Sequence, residues 1–309
     1  MSDFRADVLA GLAARPRAIP ARWFYDDAGS EIFEEITRIP EYYPTRAEQA
    51  LLDAHVTEMA VACDRCAIVE YGSGASVKTR TLLRAAQPAA YVPIDISGDF
   101  LRMTADALRD DFPGLAILPV EADFSESITL PPEVAGMPKL VFFPGSTIGN
   151  LVPATAVDLL RRMRITLGVG AKLLIGMDRV KDTDVLIRAY DDAAGVTARF
   201  NLNLLARINR ELEGDIPLDA FAHEARWNDI KSRIEMHLRA TRDVQFTVSN
   251  QNFTMAAGET IHTENSHKYS ARSSRLLLEA GGWTVEQEWA GDGAFALSLC
   301  AARPVPAAP

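Results

Sequence analysis

Residues 67–79 read AIVEYGSGASVKT, an apolar run that ends in a glycine–serine–glycine turn and passes into a helical segment. Such a junction is where an open α/β sheet binds its ligand, at the carboxyl end of a strand. Working outward, further apolar runs follow at comparable spacing: AYVPID (90–95), AILPVEAD (116–123), KLVFFPG (139–145) and AKLLIGMD (171–178). Amphipathic stretches such as VKTRTLLRAA and GDFLRMTADALRDDF separate them. Near-continuous apolar strands alternating with helices are the pattern of a parallel sheet covered on both faces. The ligand-bearing edge is therefore expected near Gly72, Asp95, Asp123 and Gly145.

Beyond Asp178 the rhythm changes. Residues 179–230 read mainly as helix, with helical apolar spacing in VLIRAYDDAAGVTARFNLNLLARINREL. RIEMHLRA (233–240) and VQFTVSN (244–250) read as strands, and YSARSSRLLLEAG (269–281) as a helix. WTVEQEWA (283–290) and FALSLCAA (295–302) then form an antiparallel pair, and the tail PVPAAP is expected to be loose. The first 50 residues stand outside the βα rhythm and are rich in aromatics. The expected fold is α/β: a Rossmann-like sheet with a terminal antiparallel hairpin, plus a second, mixed α+β domain. Residues 47–180 and 266–309 are assigned to the first domain, and residues 1–46 and 181–265 to the second.

Composition narrows the partners. The 309 residues carry 32 Lys plus Arg against 42 Asp plus Glu, a net charge of −10. That balance disfavours nucleic acid and anionic membrane surfaces, both of which need a basic face. No run approaches the length of apolar chain that a membrane span requires. The first residues, MSDFRADVLAGLAARPRA, mix charges throughout, so no secretory signal is expected. Three cysteines, Cys63, Cys66 and Cys300, suggest separate thiols in a reducing cytoplasm. The five histidines, at 55, 223, 237, 262 and 267, lack H-x-x-x-H spacing, and no metal site is expected.

The loop at 70–79 admits three ligands. A P-loop needs a second glycine where Val77 stands, although Lys78 and Thr79 fit its end. A dinucleotide fingerprint needs its third glycine at the same Val77. The third reading is the acidic-G-x-G loop of S-adenosylmethionine (SAM)-dependent methyltransferases, in which Gly72, Ser73 and Gly74 let the backbone approach an amino-acid moiety. Asp95, ending the second strand, suits ribose hydroxyls, and Asp123 with Phe124 suits adenine. An acidic face also favours a cationic sulfonium over a polyphosphate.

Several long, irregular strings point further. FYDDAGSEIFEEITRIPEYYPTRAE, EYGSGASVKTRTLL, FPGSTIGN, RAYDDAAGVTARFNLNLLARINREL and IHTENSHKYS together resemble the SAM-dependent histidine Nα-methyltransferases of ergothioneine biosynthesis. The resemblance runs from about residue 20 to about residue 302. It implies conversion of L-histidine to its trimethyl betaine, hercynine, by three methyl transfers. It places Gly72, Lys78, Asp95, Asp123 and Phe124 at SAM. It places Tyr42, Asn150, Tyr190, Met236, Glu264 and Ser266 at the substrate, with Tyr25 beside the amine as a second tyrosine of the catalytic pair with Tyr42.

These residue types suit the implied chemistry. Glu264 and Ser266 lie two apart, so in an extended segment both face one way and can bond the two imidazole nitrogens. Asn150 and Tyr190 offer neutral donors to the substrate carboxylate. Phenol walls at Tyr25 and Tyr42 give hydrogen bonds while the amine has N–H groups, and cation–π contact once it is methylated. An alternative substrate is another aromatic amino acid such as tryptophan. Further rivals are a noncatalytic SAM- or nucleotide-sensing module and an NAD-dependent oxidoreductase, the latter disfavoured by Val77. The expected enzyme is a cytoplasmic monomer that uses SAM and L-histidine, and neither nucleic acid nor membrane.

Overall fold

The computed structural model describes residues 2–74, 77–123 and 126–304. Phe124 and tail residues 305–309 lie outside the described residues. The chain divides into two compact units. One comprises residues 1–43 and 181–267; the other comprises residues 44–180 and 268–309.

The second unit is built on an eight-stranded sheet among the described residues. In spatial order its main strands are Trp283–Trp289, Phe295–Ala302, Lys172–Asp178, Lys139–Phe143, Ala67–Tyr71, Ala90–Asp95 and Ala116–Ile117. The strands from 67 to 178 pair in parallel. Phe295–Ala302 joins antiparallel to Lys172–Asp178 and to Trp283–Trp289, which is the expected terminal hairpin. Strand alternation sends Ala67, Val69 and Tyr71 into one core with Leu159, Met163 and Leu278. Ile68 enters the opposite core with Leu52, Leu82 and Leu108. Both faces are therefore dry, which accounts for the near-continuous apolar strands.

One expected strand is broken. AILPVEAD forms two short pieces, Ala116–Ile117 and Val120–Glu121, each paired with Ala90–Asp95. Pro119 between them has no N–H to donate, and such a gap is tolerated at a sheet margin. The cysteines also depart from expectation, because Cys63 and Cys66 form a disulfide with Cα atoms 5.0 Å apart. Arg65 takes a left-handed φ of 47°, and the chain turns between the helix Tyr43–Ala60 and the first strand, bringing the two thiols together.

The first unit has a four-stranded sheet in the order Arg17–Ala18, Thr260–His267, Arg233–Ala240, Phe221–Asn228. A separate hairpin pairs Val244–Val248 with Gln251–Met255. Helices Ser2–Ala13, Asp27–Ile36, Thr183–Tyr190 and Val196–Glu211 supply the rest of its core, around Phe24, Phe200, Leu204 and Met236. The helical reading of 179–230 holds as far as Glu211 and fails at Phe221–Asn228. In that strand only Phe221 and Ala225 are buried, and their spacing of four imitates a helix. Pairing with Arg233–Ala240 overrides that local pattern. No helix among the described residues is long and apolar enough to cross a membrane.

Candidate active site

The cofactor-type edge lies in the sheet unit. After the strand Ala67–Tyr71 the chain passes through Gly72 at φ 71° and Gly74 at φ 47°, conformations that glycine adopts without strain. The Gly72 N–H donates to the Ile94 carbonyl at 2.9 Å, and the Gly74 N–H to Asp95 Oδ2 at 3.0 Å. Asp95 Oδ1 accepts from the Ser97 N–H at 3.0 Å, so one carboxylate ties the glycine loop to the entry of the helix Gly98–Asp111. Among the described residues, a Cβ built on Gly74 would meet nothing within 4 Å. Asp123 ends the segment after the interrupted strand, and Phe124, expected beside it, is outside the described residues. A glycine turn held by the Asp95 carboxylate suits a ligand with a cationic centre and hydroxyl groups.

Lys78 lies in the first turn of the helix Val77–Ala86, and its ammonium rests 2.5 Å from Glu48 Oε2. Glu48 is fully buried and also accepts the Gly145 N–H at 2.9 Å. Asn150 closes the short helical turn Thr147–Asn150 that follows Gly145. Ser146 Oγ anchors that turn by accepting the Asp178 N–H at 2.9 Å.

Glu70, the acidic residue before the loop, points inward rather than toward ligand. Thr79 Oγ1 donates to it at 2.6 Å, and Tyr91 also donates its hydroxyl. Burial pushes its carboxyl from 4.5 up to about 8, against the two hydrogen bonds. A raised folded-state value favours the protonated, folded form. Stability is thus fully present below the unfolded value of 4.5 and is lost as pH rises through about 8. Glu70→Gln is expected to flatten that loss, so its melting temperature should exceed the wild type's above about pH 8. Melting temperatures of the two proteins that run parallel from pH 4.5 to about 8 would refute the assignment.

Most substrate candidates converge in the other unit. A register shift between His262 and Glu264 sets Glu264 opposite Met236 and Ser266 opposite Ile234. Glu264, Ser266 and Met236 consequently share one face of the sheet, and all three are buried. Ser266 Oγ lies 2.7 Å from the Tyr190 hydroxyl. Tyr190 ends a helix whose entry is capped by Asp182, which accepts the Asp184 and Val185 N–H groups. The Tyr190 ring meets Tyr42 edge-on, with centroids 5.9 Å apart. Phe33 then links Tyr42 to Tyr25, at 6.3 and 5.7 Å. Tyr25, Tyr42, Tyr190, Met236, Glu264 and Ser266 thus belong to this unit, whereas Asn150 belongs to the sheet unit.

Sequence reading missed three supports. Phe33 and Phe200 lie 6.0 Å apart and complete the aromatic cluster around Tyr25. Both stand in the strings quoted above, but nothing local distinguishes them from ordinary core. A polar chain also runs behind Tyr190. Thr263 Oγ1 donates to Asn201 Oδ1 at 2.8 Å, and Asn201 Nδ2 donates to His223 Nδ1 at 2.8 Å. His223 Nε2–H then donates to the Tyr190 carbonyl at 2.8 Å. Burial lowers the His223 pKa, consistent with this neutral tautomer, and the ring satisfies a carbonyl at the helix end.

Comparison with known proteins places the chain in a family. The family described as "Histidine-specific methyltransferase, SAM-dependent" matches residues 4–302. The histidine N-alpha-methyltransferase of Mycolicibacterium smegmatis is 45% identical over 304 residues, covering 96% of this chain and 94% of that protein. The enzyme of the same name from Mycobacterium tuberculosis gives the same identity and coverage. Ergothioneine biosynthesis protein 1 of Neurospora crassa is 30% identical over 305 residues, 93% of this chain and 33% of that protein. The chain belongs to the histidine-specific, SAM-dependent methyltransferases.

Proposed function

We propose that the protein transfers three methyl groups from SAM to the α-amine of L-histidine, giving hercynine, a step of ergothioneine biosynthesis. What carries this reading is the pairing of Glu264 and Ser266 on one buried strand face with the Tyr190 hydroxyl beside them. An acid and a hydroxyl two residues apart match the two nitrogens of an imidazole. The indole of tryptophan has a single N–H and would leave one of the two polar groups unmatched, which disfavours the alternative substrate.

In this reading Tyr190 and Asn150 donate to the histidine carboxylate. Gly72, Ser73, Gly74, Lys78, Asp95, Asp123 and Phe124 hold SAM. SAM supplies an electrophilic methyl on a sulfonium. Tyr25 and Tyr42 orient the amine, whose proton must leave first because an ammonium has no lone pair. A peptide α-amine titrates near roughly 8 and that of a free amino acid somewhat higher, so the loss is only modestly uphill near neutral pH. In each transfer the nitrogen lone pair forms the new N–C bond, the C–S bond breaks, and its electrons stay on sulfur. As N–H groups disappear, the Tyr25 and Tyr42 rings and the neighbouring Phe33 offer aromatic faces to the growing cation. Alignment of nitrogen, methyl and sulfur then accounts for most of the acceleration, with no strong base required.

The units divide the work in the same reading: the sheet unit is the SAM-binding domain and the other unit the substrate-binding domain. The enzyme acts as a cytoplasmic monomer on small molecules, and its net charge of −10 supports the exclusion of nucleic acid. Incubation with SAM and histidine should yield a product heavier by three methylene masses, with almost none from tryptophan at equal concentration. Equal turnover of the two amino acids would overturn the substrate assignment, and SAM binding without turnover would favour a sensing module.

A further inference from the structure

We propose that Glu48 is a positioning residue that sets the cofactor loop and the Asn150 turn together, through one buried carboxylate. The inference rests on the reading above, in which Lys78 serves SAM and Asn150 serves histidine. Glu48 closes the string FYDDAGSEIFEEITRIPEYYPTRAE, yet neither the family resemblance nor the strand-end pattern gives it a ligand role.

Glu48 lies within the helix Tyr43–Ala60, yet its side chain is fully buried. A buried carboxylate survives only when charge and hydrogen bonds compensate it. Here both compensations come from the segments that, in this reading, carry Lys78 and Asn150. Lys78 supplies the cation at 2.5 Å. Gly145 supplies a backbone N–H shared between the two oxygens, at 3.0 and 2.9 Å. Gly145 immediately precedes Ser146 and the turn Thr147–Asn150. The helix that bears Lys78 and the turn that begins at Gly145 follow different strands, Ala67–Tyr71 and Lys139–Phe143, and this carboxylate bonds to both.

The electrostatics explain why an acid is needed there. Lys78 occupies the first turn of its helix, where the peptide dipoles present positive charge and disfavour a cation. A bare ammonium at that point would also repel a sulfonium. Glu48 neutralises Lys78 while two of its three N–H groups stay available for the carboxylate of the methionine moiety. The fold makes room for this arrangement at Gly176, in the strand Lys172–Asp178. A Cβ built there would lie 2.1 Å from Glu48 Oε1.

The two arms separate experimentally, because glutamine can still accept the Gly145 N–H but cannot neutralise Lys78. Glu48→Ala should raise the SAM Kd about tenfold and the histidine KM about fivefold. Glu48→Gln should keep the loss in SAM affinity, measured by calorimetry, while returning the histidine KM at saturating SAM to within about twofold of wild type. In a Lys78→Met background, Glu48→Gln should add less than about twofold to the SAM Kd, because the pair is already broken. Gly176→Ala displaces the carboxylate without removing a charge, so it should raise both constants, and it decides the matter if Glu48→Ala fails to fold. Full additivity in the double variant would overturn the inference, as would a lowered melting temperature with both constants unchanged. If Lys78→Met and Asn150→Ala leave both constants unchanged, the site reading falls and this inference with it. If those two variants are impaired while Glu48→Ala and Gly176→Ala are not, the inference alone falls.

Discussion

Glu264→Ala is expected to raise the KM for histidine by about a hundredfold while leaving the SAM Kd within about twofold. Glu264 is only 9% exposed and shares its strand face with Ser266 and Met236. A hydrogen bond to a charged group in such a place contributes about 1.5–3 kcal/mol, and each 1.4 kcal/mol is about tenfold in affinity. Alanine also leaves an imidazole N–H without its acceptor on a buried strand face, which adds to the loss. Glu264→Gln keeps the size and one acceptor oxygen, so its KM should fall between wild type and alanine. Steady-state kinetics at saturating SAM provide the measurement, and histidine constants unchanged in the alanine variant would remove Glu264 from the site.

The second large effect concerns stability. Lys268 and Asp178 form an ion pair at 2.7 Å in which both side chains are 0% exposed. Desolvation makes such a pair a weak net contributor when intact, but removing one partner leaves the other charge buried without its counter-ion. Lys268→Met should therefore destabilise the sheet unit by about 3–5 kcal/mol, read as a lowered denaturant midpoint. Pairing it with Asp178→Asn should recover much of that loss, because no buried charge then remains. A single variant within about 1 kcal/mol of wild type would show that the pair is better solvated than its burial indicates.

The parallel strands were legible because burial on both sheet faces forces nearly every position to be apolar. Ala90–Asp95 matches its sequence reading residue for residue, and so does the hairpin strand Phe295–Ala302. Where burial was one-sided the pattern weakened. Phe221–Asn228 looked helical because only two of its residues reach the core, at a spacing that suits either state. Pro119 advertised the break in the third strand, but an apolar run surrounded it. The disulfide was hidden for a different reason. A sparse cysteine count says nothing of which thiols meet, whereas bonding depends on the left-handed turn at Arg65.

Sequence by itself determined the sheet, the glycine turn at its ligand edge and the family, since each is written in contiguous residues. Periodicity within one element and motifs within one loop are short-range properties, and a linear reading sees them directly. Tertiary structure alone decided which distant groups meet. Tyr190 bonds Ser266 only because a strand irregularity near Glu264 sets that register. His223 reaches the Tyr190 carbonyl only because the chain folds back as a strand where helix was expected. Glu48 reaches Lys78 and Gly145 only because Gly176, on yet another strand, leaves space for its carboxylate. Such contacts depend on packing between elements far apart in the chain, and no local pattern encodes that packing.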